Sequence, residues 1–152
     1  MKQAAISDLQ THIGFWLRYV SNHVSHAFAR RLADTGVTVA EWVVMREMFA
    51  REDLAPSSLA ESTGLTRGAI SKLVDRLHAK KLLSRRDRKD DRRYQTIALT
   101  AAGKKLVPEL AALADANDAE FFSALTQQER ATLVTTLKKL VVANHLSRLP
   151  ID

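Results

Sequence analysis

The sequence predicts a mainly α-helical protein interrupted by one short β-hairpin, and three observations carry that expectation. Leu and Ala are the most frequent of the 152 residues, while only 5 glycines and 3 prolines occur, a composition that suits helices. Three hydroxyl-x-x-Glu steps, Thr38 to Glu41, Ser58 to Glu61 and Thr126 to Glu129, each precede an apolar run at helical spacing. In such a capping box the hydroxyl accepts from a free backbone N–H of the first turn, and the carboxylate reaches back to the cap residue. Finally, two short runs of strand formers flank DRKDDRR at 87–93, a loop made almost entirely of charge.

The elements follow in order. A first helix is expected over about residues 7–33, with Ile13, Leu17, Val20, Val24, Ala27 and Leu32 as an apolar stripe, and Asp34-Thr35-Gly36 breaks it. Thr38 opens a second helix to about residue 50, with Trp42, Val43, Met45, Met48 and Phe49 for burial. Residues 51–56 read as a connector. Ser58 opens a short third helix that ends at Gly64, a residue free to adopt the left-handed terminator. Thr66 caps a fourth helix to about residue 81, and residues 82–86 and 94–99 read as the hairpin strands. Thr100 caps a long helix to about residue 125 that Pro108 should kink. A last helix, about 127–146, carries Leu133, Val134, Leu137, Leu140 and Val141.

A chain of this size can bury a core of its own. No stretch is apolar and long enough to cross a membrane or to serve as a secretory signal. The absence of cysteine excludes disulfides, thiolate metal ligands and thiol redox chemistry. A soluble cytoplasmic protein is expected, with no membrane partner.

Charge is distributed unevenly. Between Arg67 and Arg93 lie 11 Lys and Arg against 4 Asp, while the other 125 residues carry 12 basic and 13 acidic side chains. The excess behind the net charge of +6 is therefore local, and a basic helix beside a basic hairpin suits a polyanion such as double-stranded DNA. SSLAESTGLTRGAISKLVDRL has the layout of a helix-turn-helix. Turning Ile70, Leu73, Val74 and Leu77 inward points Gly68, Ser71, Lys72, Asp75 and Ala79 outward, with Arg67 and Arg76 on the flanks. The first turns of such a helix enter a major groove. Arg67 or Lys72 there suits guanine O6 and N7, Ser71 a base edge or a phosphate, and Gly68 a close approach. Arg76, further along, suits a phosphate. In the hairpin Arg86, Arg88, Lys89, Arg92 and Arg93 outnumber Asp87, Asp90 and Asp91, and an arginine at the tip suits a narrow minor groove. The competing explanation is a solvated turn whose acids and bases pair with one another.

With those residues in view, the chain resembles the MarR family of bacterial transcription regulators over nearly its whole length. The resemblance rests on the order of elements, on Gly36-Val37-Thr38 before a Trp-containing helix, and most specifically on Asp91-Arg92-Arg93 continuing to Leu99-Thr100. In that family the wing reads Asp-x-Arg and ends in Leu-Thr; Arg88-Lys89 departs from the Pro or small residues common at that place. The resemblance implies a winged helix-turn-helix at about 38–100, with dimerisation helices at about 1–35 and 101–152 of one domain. It implies Arg93 as the minor-groove arginine, Asp91 as the partner that orients it, and Thr66, Arg67, Gly68, Ser71 and Lys72 at the major groove. A homodimer is also implied, and the apolar content of the first and last two helices agrees with it. Two recognition helices roughly 34 Å apart would then meet a pseudo-palindrome, in a repressor released by ligand.

The resemblance further implies a small, often aromatic, anionic effector between the dimerisation helices and the DNA lobe. His12, Trp16, Tyr19, His23 and His26 recur on the first helix, and Arg46 on the second offers a cation. Trp16 and Tyr19 suit subunit packing equally well. His23-x-x-His26 lacks an acidic residue on its turn, so no metal site is expected, and nothing calls for a cofactor. Phosphate-cradling glycine loops, serine elbows and His-Glu-x-x-His motifs are absent from the sequence, which argues against an enzyme. The remaining alternative is an architectural winged helix that binds DNA without reading its sequence.

Overall fold

The computed structural model describes residues 5–87 and 95–146. Among the described residues, six α-helices and one hairpin appear in the order α1 (Ile13–Leu32), α2 (Val39–Met48), α3 (Pro56–Thr63), α4 (Arg67–Ala79), β1 (Leu83–Asp87), β2 (Gln95–Leu99), α5 (Ala101–Phe121) and α6 (Gln127–Ala143). No helix among the described residues is long and apolar enough to cross a membrane.

Local chemistry sets most boundaries. Gly36 (φ 73°) and Gly64 (φ 72°) occupy the left-handed region at the ends of the segments they terminate. Thr38 and Thr126 form complete capping boxes with Glu41 and Glu129. The expected box at Ser58 does not form. Pro56 starts α3 two residues earlier with Ala55 as cap residue, because a proline carries the helical φ and has no N–H to satisfy at that position. The first helix is shorter than expected: residues 9–11 make a separate 3₁₀ turn capped by Asp8. α5 runs through Pro108 as one helix.

One core lies between α2, α3, α4, the hairpin, the last turns of α1 and the first half of α5. Its inaccessible members include Leu32, Val44, Met45, Met48, Leu59, Ile70, Leu77, Leu83, Ile97 and Leu110. On α2 the buried face is Glu41, Val44, Met45 and Met48, so Val43 and Phe49, expected inside, are exposed. The i, i+3, i+4, i+7 spacing accounts for this, since it selects one stripe and leaves Val43 off it.

β1 and β2 pair antiparallel, Leu83 opposite Leu99 through Asp87 opposite Gln95. Leu54, in the connector before α3, adds a bridge on the free edge of β2, exchanging N–H and carbonyl with Ile97 at 3.0 and 2.8 Å. The hairpin base is locked to α5: Thr100 caps that helix, its N–H reaches the Leu82 carbonyl and its hydroxyl donates to the Lys81 carbonyl. Gly103 belongs to the same joint, for a Cβ there would sit 2.2 Å from the Leu82 carbonyl oxygen.

The outer helices behave differently. α1 packs along α5, tied by Asn117 Nδ2 to the Val24 carbonyl and by Arg31 to Glu120. Arg130 of α6 donates to the Ala119 and Phe122 carbonyls at the end of α5. Yet α6 buries no residue, and Ile13, Trp16, Leu17 and Val20 of α1 stand exposed with Leu133, Val134, Leu137, Leu140 and Val141 of α6.

Candidate nucleic-acid interface

α4 is a cap-initiated helix with two distinct faces. The Thr66 hydroxyl accepts from the Ala69 N–H at 3.0 Å. Ile70, Leu73, Val74 and Leu77 are buried, and Arg67, Gly68, Ser71, Lys72, Asp75, Arg76 and Ala79 are exposed, as the sequence predicts. A Cβ on Gly68 would meet only the Thr66 Oγ, at 4.0 Å. Packing within the chain therefore places no demand for glycine at that position. Arg67 and Lys72 have no ion-pair partner among the described residues. Unneutralised cations on one helical face, next to backbone free of a side chain, form a surface suited to a phosphate-lined groove.

The hairpin base projects beside this helix. Arg85 of β1 pairs with Asp75 of α4, which orients the strand against the exposed face of the helix. Arg86 extends into solvent, with Asp53 3.6 Å from its guanidinium. Such exposed contacts hold geometry more than they stabilise. Asp53 (φ 51°) occupies a left-handed turn of the connector, next to the residue that bridges β2. Arg88, Lys89, Asp91, Arg92 and Arg93, the expected wing-tip residues, lie outside the described residues.

Sequence reasoning overlooked a second contact of α4. Lys80, its C-terminal cap residue, donates to Glu41 Oε2 at 2.7 Å and to the Gly36 carbonyl at 2.6 Å. Glu41 is fully buried, and the same oxygen accepts the Thr38 N–H at 2.9 Å. Burial pushes this carboxyl up, but the Lys80 ammonium, the Thr38 N–H and the charge of Arg76 outweigh it and leave the group below the ordinary carboxylate range.

The residues expected to hold an effector divide into groups. Trp16, Tyr19 and His23 lie along one flank of α1, Tyr19 stacked on His23 with ring centroids 4.4 Å apart. Trp16 Nε1 donates to the Gln10 carbonyl, and His12 sits against the Leu9 carbonyl. Arg46 is exposed on α2. A cleft of about 540 Å3 between α1 and α5 is lined by His23, His26, Arg30, Arg31, Asn117 and Phe121, among others. Its arginines are thus on α1 itself. Continuing the histidine spacing of α1 by one turn reaches Arg30, a signal the sequence did contain.

The MarR family model matches residues 35–93, the stretch from the α1–α2 turn to the hairpin. A putative transcriptional regulatory protein for the hcr operon of Thauera aromatica is 30% identical over 129 residues, 84% of this chain and 78% of the relative. A mutant MarR of E. coli, solved in complex with operator DNA, superposes with a TM-score of 0.80 at 25% identity, covering 89% of this chain and 99% of that one. CouR of Rhodococcus jostii, solved with p-coumaroyl-CoA bound, gives a TM-score of 0.77 at 26% identity over 89% and 95% of the two chains.

Proposed function

This chain belongs to the MarR family of DNA-binding transcription regulators, and from that premise we propose that it acts as a homodimeric repressor of a pseudo-palindromic operator, released by a small anionic ligand. α4 enters the major groove through Thr66, Arg67, Gly68, Ser71 and Lys72, with Arg76 on the backbone. The hairpin tip, with Arg93 oriented by Asp91 and flanked by Arg86, Arg88, Lys89 and Arg92, follows the neighbouring minor groove. Residues 38–100 serve as the DNA lobe, and residues 1–35 and 101–152 join the two copies.

The observation that carries this reading is the exposed face of α4, where Arg67 and Lys72 have no internal counter-charge among the described residues and Gly68 leaves the backbone open. Pairing of copies is supported by the apolar faces of α1 and α6, which the described residues leave partly exposed. The ligand is supported by the cationic cleft between α1 and α5 and by p-coumaroyl-CoA bound to CouR.

The deciding experiment compares affinity for the protein's own upstream DNA with that for random duplex over a salt series. A sequence reader keeps a large preference at high salt, whereas an architectural backbone binder loses both affinities together. Arg93→Ala is expected to weaken operator binding without unfolding the protein; unchanged affinity at matched salt removes the wing from the reading. Salicylate-like acids are expected to raise the melting temperature and lower operator affinity, and no response in either rules out that ligand class.

A further inference from the structure

The two complete capping boxes among the described residues use the same chemistry in different surroundings. At the start of α6, Thr126 and Glu129 exchange their two hydrogen bonds at the surface, and no third partner joins them among the described residues. At the start of α2, Thr38 and Glu41 make the same exchange, but Glu41 is buried and also receives Lys80, 39 residues away. Capping a helix requires neither burial nor a lysine, as α6 demonstrates. Burying a carboxylate is costly, and here Glu41 Oε1 has no hydrogen-bond partner among the described residues. The extra arrangement therefore serves something other than the cap.

Its position indicates what that is. Lys80 closes α4, and its ammonium bridges the Glu41 carboxylate to the Gly36 carbonyl in the turn that ends the α1 segment. Lys81, immediately after it, is held at φ 60° while the Leu82 N–H returns to the Leu77 carbonyl, so the end of the helix is fixed on both sides. The apolar contacts of α4 are non-directional; the Lys80 contacts have direction. A helix of 13 residues is about 20 Å long, so a tilt of about 5° at its C-terminal end moves its N-terminal turn by roughly 1.7 Å. Base recognition requires placement to within about 0.5 Å.

We propose that Lys80 is a positioning residue for operator recognition: clamped by Glu41 and the Gly36 carbonyl, it sets the angle of α4 and hence where Arg67, Ser71 and Lys72 meet the bases. This rests on α4 being the reading helix. Lys80 keeps 38% of its side-chain accessibility, so the alternative role to separate is a direct phosphate contact.

The test uses the full chain, its own upstream DNA and random duplex, each over a salt series, for Lys80→Met, Lys80→Arg, Glu41→Gln and Lys72→Ala. Lys80→Met and Glu41→Gln are expected to lower operator affinity about 10-fold, the size of one impaired base contact, with random-duplex affinity and the salt slope unchanged. Lys80→Arg retains the charge and protects folding, but its longer planar head does not reproduce the clamp. It is expected to lose operator preference, whereas a phosphate contact would bind as well or better with arginine. A reduced salt slope with equal loss on both duplexes in Lys80→Met makes Lys80 a phosphate ligand and overturns the proposal. If Lys72→Ala weakens operator binding while all three clamp variants bind normally, the clamp alone is refuted. If Lys72→Ala is silent too, α4 is not the reader and the clamp falls with it.

Discussion

The winged region and the outer helices carry apolar stripes of the same periodicity, yet the stripes end differently. Ile70 and Leu77 of α4 and Leu83 and Ile97 of the hairpin are sealed by elements of the same chain. Leu133, Leu137 and Leu140 of α6 remain about two-fifths accessible, and Ile13 of α1 three-quarters. A hydrophobic stripe states that a face must be covered, but not by what. In the winged region, short connections bring α2, α3, α4 and the hairpin round one another, so coverage is local. α6 is held to α5 by Arg130 at its start, and the described residues leave its apolar face only partly covered. The winged region is thus complete as a fold, and the outer helices are complete only when something apolar is laid on them.

The largest effect that would sharpen this contrast comes from a charge on the open face. Leu137→Asp is expected to convert the proposed homodimer to monomer in sedimentation and to weaken operator binding by roughly 10²–10⁴, the usual gain from linking two binding modules. The winged region should still unfold cooperatively in that monomer. Retention of the dimer, or loss of all cooperative structure, would break the comparison.

Next in size is a pair of truncations made in that monomeric background. Leu77→Ala leaves a hole in a closed core and is expected to cost about 2–5 kcal/mol in urea unfolding. Leu140→Ala removes a side chain that meets little in a single protomer and should change stability by no more than about 0.5 kcal/mol. Equal losses would mean that α6 folds back onto its own chain in solution.

The same contrast explains which parts of the molecule can be read from the sequence. Thr38, Thr66, Thr100 and Thr126 announce helix starts because a cap bond closes within three residues, and Gly36 and Gly64 announce ends because the left-handed backbone is a local property. The outward set of α4 is equally legible, since it follows from four inward apolar residues. Ser58 misleads because Pro56 satisfies the same need two residues sooner. Glu41 reads as a surface cap; its burial depends on Lys80, and no local pattern links the two. Leu54 pairs with Ile97 as a single bridge, too short to leave a periodicity. Arg46 was the natural cation to place near the histidines, but the cleft beside His23 takes its charge from Arg30 and Arg31.

A third effect separates a buried carboxylate from an exposed one. Both Glu41 and Glu129 are held below the ordinary carboxylate range, Glu41 by Lys80 and Thr38 against the penalty of burial, Glu129 by its bonds to Thr126. A depressed carboxyl stabilises the fold fully above its unfolded value, about 4.3, and that contribution disappears as pH falls through the lower folded value. Stability relative to Glu41→Gln should therefore be level above about pH 5 and shrink as the solution is acidified below the unfolded range. Added salt should reduce the difference for Glu41→Gln in part, because the charges of Lys80 and Arg76 contribute to it, and leave that for Glu129→Gln, set by hydrogen bonds to Thr126, largely unchanged. An acid limb identical in wild type and Glu41→Gln would show that the buried carboxylate gains nothing from its ionised form.

The smallest effect tests whether the two capping boxes are equivalent in their own helices. Thr126→Ala removes an exposed hydroxyl that accepts the Glu129 N–H at 3.2 Å, and substitutions of this kind cost about 0.5–1 kcal/mol. Because α6 contributes nothing to the closed core, that loss should remain in its first turn. Hydrogen exchange should quicken at the Gln128, Glu129 and Arg130 amides while the amides of α4 and β2 keep their protection. Thr38→Ala removes the same bond from a helix that packs into the closed core, and its effect should reach the α4 amides through Glu41 and Lys80. Should both variants loosen only their own first turns, the buried box would be no more than a cap, and the winged region would owe its order to apolar packing alone.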